Sequence, residues 1–477
     1  MGGGHRGDGV SDLPKVARRS TRASAARPQR DAAAAAAAVA AEEVEVVEEA
    51  EGETEAGGGG GGGEGGGVGA GEMDMVVRWP EGGVVTVDWV MGLGNVLDYA
   101  SRNLQPSQLP DVIPVSVADS LILAASKLMH REPNCVEVTV EASSRVVLVG
   151  DVHGQLHDVL NLVQLAGPPS SNCIFVFNGD YVDRGAWGFE TYIYLLAWKV
   201  LLPHRVFLLR GNHETKFCTS TYGFEQEVIA KYKEYGKHMY RKLLGCFEGH
   251  PLAARVANCV FMAHGGLFRQ IEVESSQKKG KFGKGYRSKK TLKLGTLEDL
   301  AKARRGVLDP SGTGSNVIPG DVLWSDPSLN NGLSPNQLRG IGLLFGPDCT
   351  QEFLEKHKLK LIVRSHEGPD ARDKRSGMED MDKGYTIDHV VKAGKLITLF
   401  SAPDYPQFQA TEERYNNKGA YIVLEAPDFS KPQFFEFDAI KPRPKVSPYY
   451  DFVNVIDSDE ELELGSGSDD ASACSNN

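Results

Sequence analysis

The sequence predicts an α/β fold, because from Val136 onward short β-branched runs alternate with amphipathic stretches. The runs are apolar at nearly every position, as strands buried on both faces must be. Each of five such runs also stops abruptly at a polar cluster, four of them built around Gly with Asp, Asn or His and the fifth carrying Arg, Ser, His and Glu. A hydrophobic fraction of 41% supplies a sizeable core, whereas the 54 glycines are so unevenly placed that many fall outside it.

Residues 1–72 pass from basic through poly-Ala and poly-Glu to a glycine block, Gly57 to Gly67. Such a composition buries too little apolar surface to fold, so this segment reads as a disordered, low-complexity tail. Residues 73–135 read as a helical lead-in packed on the core, because Val87, Trp89, Val90 and Leu93, then Val117, Leu121, Leu123 and Leu128, recur at helical spacing. The catalytic domain is expected over 136–440, with strands in Arg145–Val149, Cys173–Phe177, Val206–Leu209, Val260–Ala263 and Leu361–Val363. A helix follows each of the first three; the first carries Leu156, Leu160, Val163 and Ala166 on one face. From 441 the chain is Pro- and Lys-rich and then acidic, reading as a second disordered tail to 477.

The formal net charge of −12 owes much to Glu42–Glu55 and Asp457–Asp470, so it says little about a substrate. The seven cysteines, Cys135, Cys173, Cys218, Cys246, Cys259, Cys349 and Cys474, show no CxxC and no disulfide-like spacing, which fits a reducing compartment. No apolar run reaches the roughly eighteen residues of a membrane span. Arg6 stands where a myristoylation signal needs Ser or Thr. The Arg- and Ser-rich stretch Arg18–Arg30 reads as a transit peptide, a short basic nuclear or nucleic-acid patch, or plain disorder. Nucleus or cytoplasm is the expected location, and neither a membrane nor a nucleic acid is an expected partner. A monomer is the expected state.

The five clusters are Gly150-Asp151-Val152-His153-Gly154, Gly179-Asp180-Tyr181-Val182-Asp183-Arg184-Gly185, Gly211-Asn212-His213-Glu214, His264-Gly265-Gly266 and Arg364-Ser365-His366-Glu367. Loops at the carboxyl ends of strands can bring such residues onto one site. Carboxylates, imidazoles and an amide oxygen together suit hard-to-borderline metal ions, and no cysteine is among them. Asp151 and His153 can serve one ion and Asn212, His264 and His366 a second, with Asp180 between them. Two ions roughly 3.5 to 4 Å apart would share a water, lower its pKa and hold it for in-line attack on phosphorus.

These clusters, with Leu323-Trp324-Ser325-Asp326-Pro327, Arg339-Gly340 before Phe345-Gly346, and Ser401-Ala402-Pro403-Asp404-Tyr405, resemble the phosphoprotein phosphatases over roughly Val136 to Leu424. The resemblance implies a calcineurin-like metallophosphoesterase fold, a central β-sandwich of mixed sheets flanked by helices. It also implies hydrolysis of phosphoserine and phosphothreonine by a metal-bridging hydroxide. It assigns Asp151, His153 and Asp180 to the first metal, and Asp180, Asn212, His264 and His366 to the second, the ions being Mn2+ or an Fe/Zn pair. Asn212, Arg184 and Arg339 would hold the phosphate, His213 would protonate the leaving oxygen, Asp183 would orient His213, and Tyr405 would form a lip. Arginine gives bidentate bonds to phosphate, and an imidazolium held by a carboxylate is a competent acid near neutral pH.

Asp404, Pro406 and Glu367 stand where commoner family members carry Asn, Cys and Gln. The insertions near 270–296 and at 370–383, and the stretch Phe408–Tyr415, are similar to the plant type-seven branch. The first insertion runs Lys278 to Lys290, rich in Lys and Gly; it is a solvated loop, a dock for an acidic regulator such as calmodulin, a segment lying over the active site, or a nucleic-acid contact. No EF-hand loop and no tetratricopeptide period occurs. The rival functions are a nucleotide or diadenosine-polyphosphate hydrolase, which shares the early clusters, and a non-catalytic scaffold, which needs none of them.

Overall fold

In a computed structural model, residues 75–271, 292–408 and 415–449 are described. The expected N-terminal tail, nearly all of the basic insertion, most of Phe408–Tyr415 and the acidic C-terminal end lie outside the described residues.

Alternating apolar side chains build two facing sheets. In chain order the strands are β1 (Cys135–Val138), β2 (Arg145–Val149), β3 (Cys173–Phe177), β4 (Val206–Leu208), β5 (Ala253–Val256), β6 (Val260–Ala263) and β7 (Asp326–Pro327). They continue as β8 (Leu333–Pro335), β9 (Leu343–Phe345), β10 (Leu361–Arg364), β11 (Tyr385–Val390), β12 (Lys395–Leu399), β13 (Gly419–Glu425) and β14 (Gln433–Phe437). One sheet runs β14-β13-β2-β3-β4 and the other β1-β5-β6-β10-β12-β11, while β7, β9 and β8 form a small third sheet. Both large sheets are mixed: β2, β3 and β4 pair parallel, as do β6, β10 and β12, whereas β13 joins β2 antiparallel.

The period of two along β2 explains why its sequence is apolar throughout. Val146 and Leu148 point into the layer between the sheets with Ile174, Val176, Met262 and Val363. Val147 and Val149 point the other way, into a core shared with Phe175, Phe177 and the helices. A strand buried on both faces has no polar position to offer. Helices Leu156–Ala166 and Gly188–Leu201 cover that outer face, and helix Pro347–His357 places Phe353 against Phe261 on the far side of the other sheet.

The lead-in forms helices Val87–Asn103 and Val115–Met129. The first is capped by Thr86, whose side chain accepts from the Trp89 amide. The inward faces are Val90, Leu93, Leu97 and Ala100, then Val117, Ala118, Leu121, Ile122, Ala125 and Met129. Val87 and Leu123, expected on those faces, point to solvent instead. A stripe a hundred degrees wide admits only part of an apolar-rich helix, and packing selects which part.

Residues 441–449, read from composition as the start of the C-terminal tail, are tied to the domain. Just before them the Ile440 amide donates to Asp158 Oδ1 at 2.8 Å, Arg443 meets Asp158 Oδ2 at 3.0 Å, and Tyr449 sits beneath the Lys231 ammonium at 5.5 Å. Partners more than two hundred residues away convert a Pro- and Lys-rich stretch into a fixed strap.

Candidate active site

The polar clusters sit where β2, β3, β4, β6 and β10 end, so both sheets deliver residues to one edge of the sandwich. Turning the chain sharply at those ends requires unusual backbone. His153, Asp180, Asp183, Arg184 and His366 all adopt left-handed φ values, from 42° to 73°. Non-glycine residues held there carry backbone strain, which folded proteins keep mainly at functional sites. Gly211 permits the closest approach: a Cβ there would lie 2.1 Å from Asp180 Oδ1 and 2.4 Å from the Asp180 amide.

Hydrogen bonds orient each ring. The Nδ1 of His153 donates to the Val182 carbonyl at 3.2 Å, turning Nε2 toward Asp180 Oδ2 at 3.7 Å. His264 donates from Nδ1 to the Asn178 carbonyl at 2.8 Å, so its Nε2 faces Asn212 Oδ1 at 2.7 Å and Asp180 Oδ2 at 3.3 Å. Asp151 accepts the His366 amide on Oδ2 at 3.0 Å, while its buried Oδ1 and the buried His366 Nε2 have no hydrogen-bond partner. Asp180, His264 and His366 offer ligand atoms all within 4.8 Å of one another, and so do His153, Asp180 and His213.

Acceptor atoms converging without donors are what a cation binding site needs, and water-poor burial makes the same set costly without one. Burial, reinforced by Asp180, drives the Asp151 carboxyl well above its usual range. Burial works against ionisation of Asp180 too, yet the imidazoles of His264 and His213 hold it below the ordinary range. Burial, with the His213 ring close by, brings His153 down to about 3. His366 is also lowered, by burial and then by the charge of Arg339. The unpartnered Asp151 Oδ1 and His366 Nε2 are the lone pairs a bound cation would take, and its charge would favour the ionised carboxylates, so the residues present fit two adjoining metal ions.

His213 is near enough to the first group to count as a ligand by distance alone. Its Nδ1 lies 2.7 Å from Asp183 Oδ2, and Asp183 Oδ1 accepts the Phe224 amide at 3.0 Å. Burial lowers His213 to about 4 and raises Asp183. Arg184 and Arg339 line the same narrow cavity with Tyr405 and Asp370. The Arg184 guanidinium lies over the Tyr222 ring at 4.3 Å, and Arg339 Nε donates to Asp326 Oδ2 at 2.5 Å. Tyr405 packs 5.2 Å from the His153 ring, and its amide donates to Asn417 Oδ1 at 3.0 Å. Nine of the eleven residues singled out in the sequence line this cavity, and the other two, Asp183 and His264, touch its lining through His213 and through Asn212 and Asp180.

Two organising carboxylates lay unassigned inside the quoted motifs. Glu214 accepts the amides of Asp180, Tyr181 and Gly211 at 2.8, 2.9 and 2.9 Å, joining the β3 and β4 loops. Asp326 joins Arg339 to Arg364. Their motif membership was the available signal; their partners are not local in sequence.

Comparison with known proteins agrees with this geometry. Residues 144–370 match the family model described as calcineurin-like phosphoesterase. The chain is 62% identical to serine/threonine-protein phosphatase 7 of Arabidopsis thaliana over 81% of its own length and 95% of that protein's. It is 50% identical to the Arabidopsis protein named serine/threonine-protein phosphatase 7 long form homolog, of which it spans 29%, and 35% identical to human serine/threonine-protein phosphatase 5, of which it spans 56%. A solved structure of a protein serine/threonine phosphatase from Saccharomyces cerevisiae matches with TM-score 0.55 at 29% identity, over 72% of this chain and 97% of that one. Fold, site and relatives together place the chain in the serine/threonine-protein phosphatase family of calcineurin-like phosphoesterases, in its type 7 branch.

Proposed function

We propose that this chain hydrolyses phosphoserine and phosphothreonine in proteins, and the observation that carries the proposal is the joining of two arginines and an Asp–His pair to one cluster of metal-ligand atoms. Asp151, His153 and Asp180 would hold one ion, and Asp180, Asn212, His264 and His366 the other. Bound there, two such ions supply a water of lowered pKa and positive charge beside the phosphoryl oxygens. The protein's own groups do the rest. Arg184 and Arg339 grip phosphate oxygens with fixed charge, Asn212 adds an amide donor, and Tyr405 walls the cavity. His213 delivers a proton from Nε2 to the departing serine or threonine oxygen, while Asp183 keeps Nδ1–H pointed away from the substrate. Manganese, iron and zinc all accept this donor set.

The test is hydrolysis by the purified full chain of a phosphoserine peptide against a dinucleoside polyphosphate, with metal content measured on the same sample. Preference for the peptide and about two ions per chain are expected; preference for the dinucleotide would overturn the reading. Release of no phosphate with manganese added would favour a scaffold.

Regulation by an acidic partner such as calmodulin is proposed for the basic insertion, from its charge alone. Removing residues 275–293 should abolish calcium-dependent capture by calmodulin, and unchanged capture would exclude that role. Nucleus or cytoplasm remains the proposed compartment, to be read from a tagged full chain.

A further inference from the structure

The insertion 370–383 is wired into the domain rather than standing off from it. Arg372, 2% exposed, donates to Asp388 at 2.7 and 2.9 Å, to Glu367 Oε2 at 3.1 Å and to Thr398 Oγ1 at 3.0 Å. Arg375 donates from Nη1 to Glu367 Oε1 at 2.9 Å and from Nη2 to the Pro327 carbonyl, and its Nη1 lies 3.7 Å from Asp326 Oδ2. That same oxygen receives Arg339 Nε at 2.5 Å and Asn336 Nδ2 at 2.8 Å, while Asp326 Oδ1 receives Arg364 Nη2 at 2.8 Å.

The carboxylate that aims Arg339 therefore sits on a weak backbone. β7 is two residues long and pairs with β9 only through Asp326 with Leu344 and Pro327 with Phe345. Arg375 grips both β7 residues, Asp326 by charge and Pro327 by its carbonyl. Its other end of attachment, Glu367, is the residue after His366 and is shared with the buried Arg364 and Arg372. A guanidinium is suited to this because its planar fork can satisfy several acceptors at once without losing its charge.

We propose that Arg375, supplied by the insertion, is a positioning residue for phosphate binding: it fixes Asp326 and thereby the direction in which Arg339 faces the cavity. The inference rests on the phosphatase reading, in which Arg339 holds phosphate. Arg375 does not line the active-site cavity, so its effect on phosphate is indirect, through Asp326 and Arg339. The insertion thus sets how tightly a phosphoryl group is held, which separates this branch's own segment from the shared metal-binding clusters.

The test uses the manganese-loaded full chain and inorganic phosphate as probe, by titration calorimetry, beside kcat and KM for a phosphoserine peptide. Arg375→Ala should weaken phosphate binding and raise KM by about tenfold, with kcat changed by less than about threefold and metal content unchanged. Arg375→Lys should recover part of the loss, because charge returns without the fork. Lys383→Ala, exposed on the same insertion, should match wild type. Combined with Arg339→Ala, the Arg375→Ala change should add nothing further, since both act through one guanidinium. Phosphate affinity unchanged in Arg375→Ala, or losses that add in full, would overturn the inference. Should Arg375→Ala not fold, Arg375→Gln, which keeps most of the stem and a donor, is read in the same way. A wild-type chain that binds no phosphate at all would instead refute the phosphatase reading and this inference with it.

Discussion

Replacing Asp183 by Asn probes the His213–Asp183 pair proposed to deliver the proton, with little change in the volume of the site. Asp183 Oδ1 accepts the Phe224 amide at 3.0 Å and Oδ2 meets His213 Nδ1 at 2.7 Å, both in full burial. In Asp183→Asn the carbonyl oxygen must stay with the Phe224 N–H, so the new NH2 faces His213. That reverses the hydrogen bond: Nδ1 becomes the acceptor and the neutral ring carries its proton on Nε2. Burial already lowers His213 to about 4, and with the carboxylate gone nothing beside Nδ1 stabilises a doubly protonated ring. A positioned general acid contributes about 10²- to 10⁴-fold, or roughly 2.7 to 5.5 kcal/mol of barrier. The loss should depend on the leaving group. A serine alkoxide leaves poorly without a proton, whereas p-nitrophenolate hardly needs one. We expect kcat for a phosphoserine peptide to fall at least about a hundredfold and that for p-nitrophenyl phosphate by less than about tenfold. His213→Gln should show the same split, with metal content unchanged in both. Equal losses on the two substrates would refute the assignment of His213 as the acid and point to it as a metal ligand.

Asp180→Asn, which removes the charge shared by both ligand groups, should lower bound metal from about two ions per chain and abolish turnover, as read by elemental analysis and phosphate release. Gly211→Ala drives a methyl into Asp180 and should mimic that loss while the far-ultraviolet spectrum is retained; full activity would show that the β3 and β4 loops move apart easily. His250, buried between Tyr192 and the Leu209 carbonyl, is lowered by burial to about 3 from the ordinary 6.5. The unfolded chain then binds the extra proton between those values, so stability is complete above about pH 6.5 and falls by up to ~1.4 kcal/mol per pH unit below it. Urea unfolding in chelator at pH 7 and pH 5 should show that slope reduced by about one proton in His250→Asn.

The site was unusually legible because its signals are local. A strand end, a glycine and a candidate ligand fall within five residues in four of the five clusters, and a turn requires them to be adjacent in sequence. Strands buried on both faces were equally legible as continuous apolar runs. Strands β1, β5, β7, β8, β9, β11 and β12 were not anticipated, nor was β13, although its run Ala420 to Leu424 is apolar throughout; β14 lacks that signature and leaves most of its side chains outward, and β11 alternates. Pairing, not composition, makes them strands.

By itself the sequence singled out nine of the residues that line the cavity, since the clusters lie at turns their own neighbours specify. Only the tertiary structure decided what holds them there. Glu214 reaches Asp180 across 34 positions, Arg375 reaches Pro327 across 48, and the Ile440 amide reaches Asp158 across 282. No local periodicity encodes such partners. A buried carboxylate or guanidinium must be satisfied by whatever donor or acceptor the packed sheets bring within about 3 Å, and that is settled only when the chain has folded.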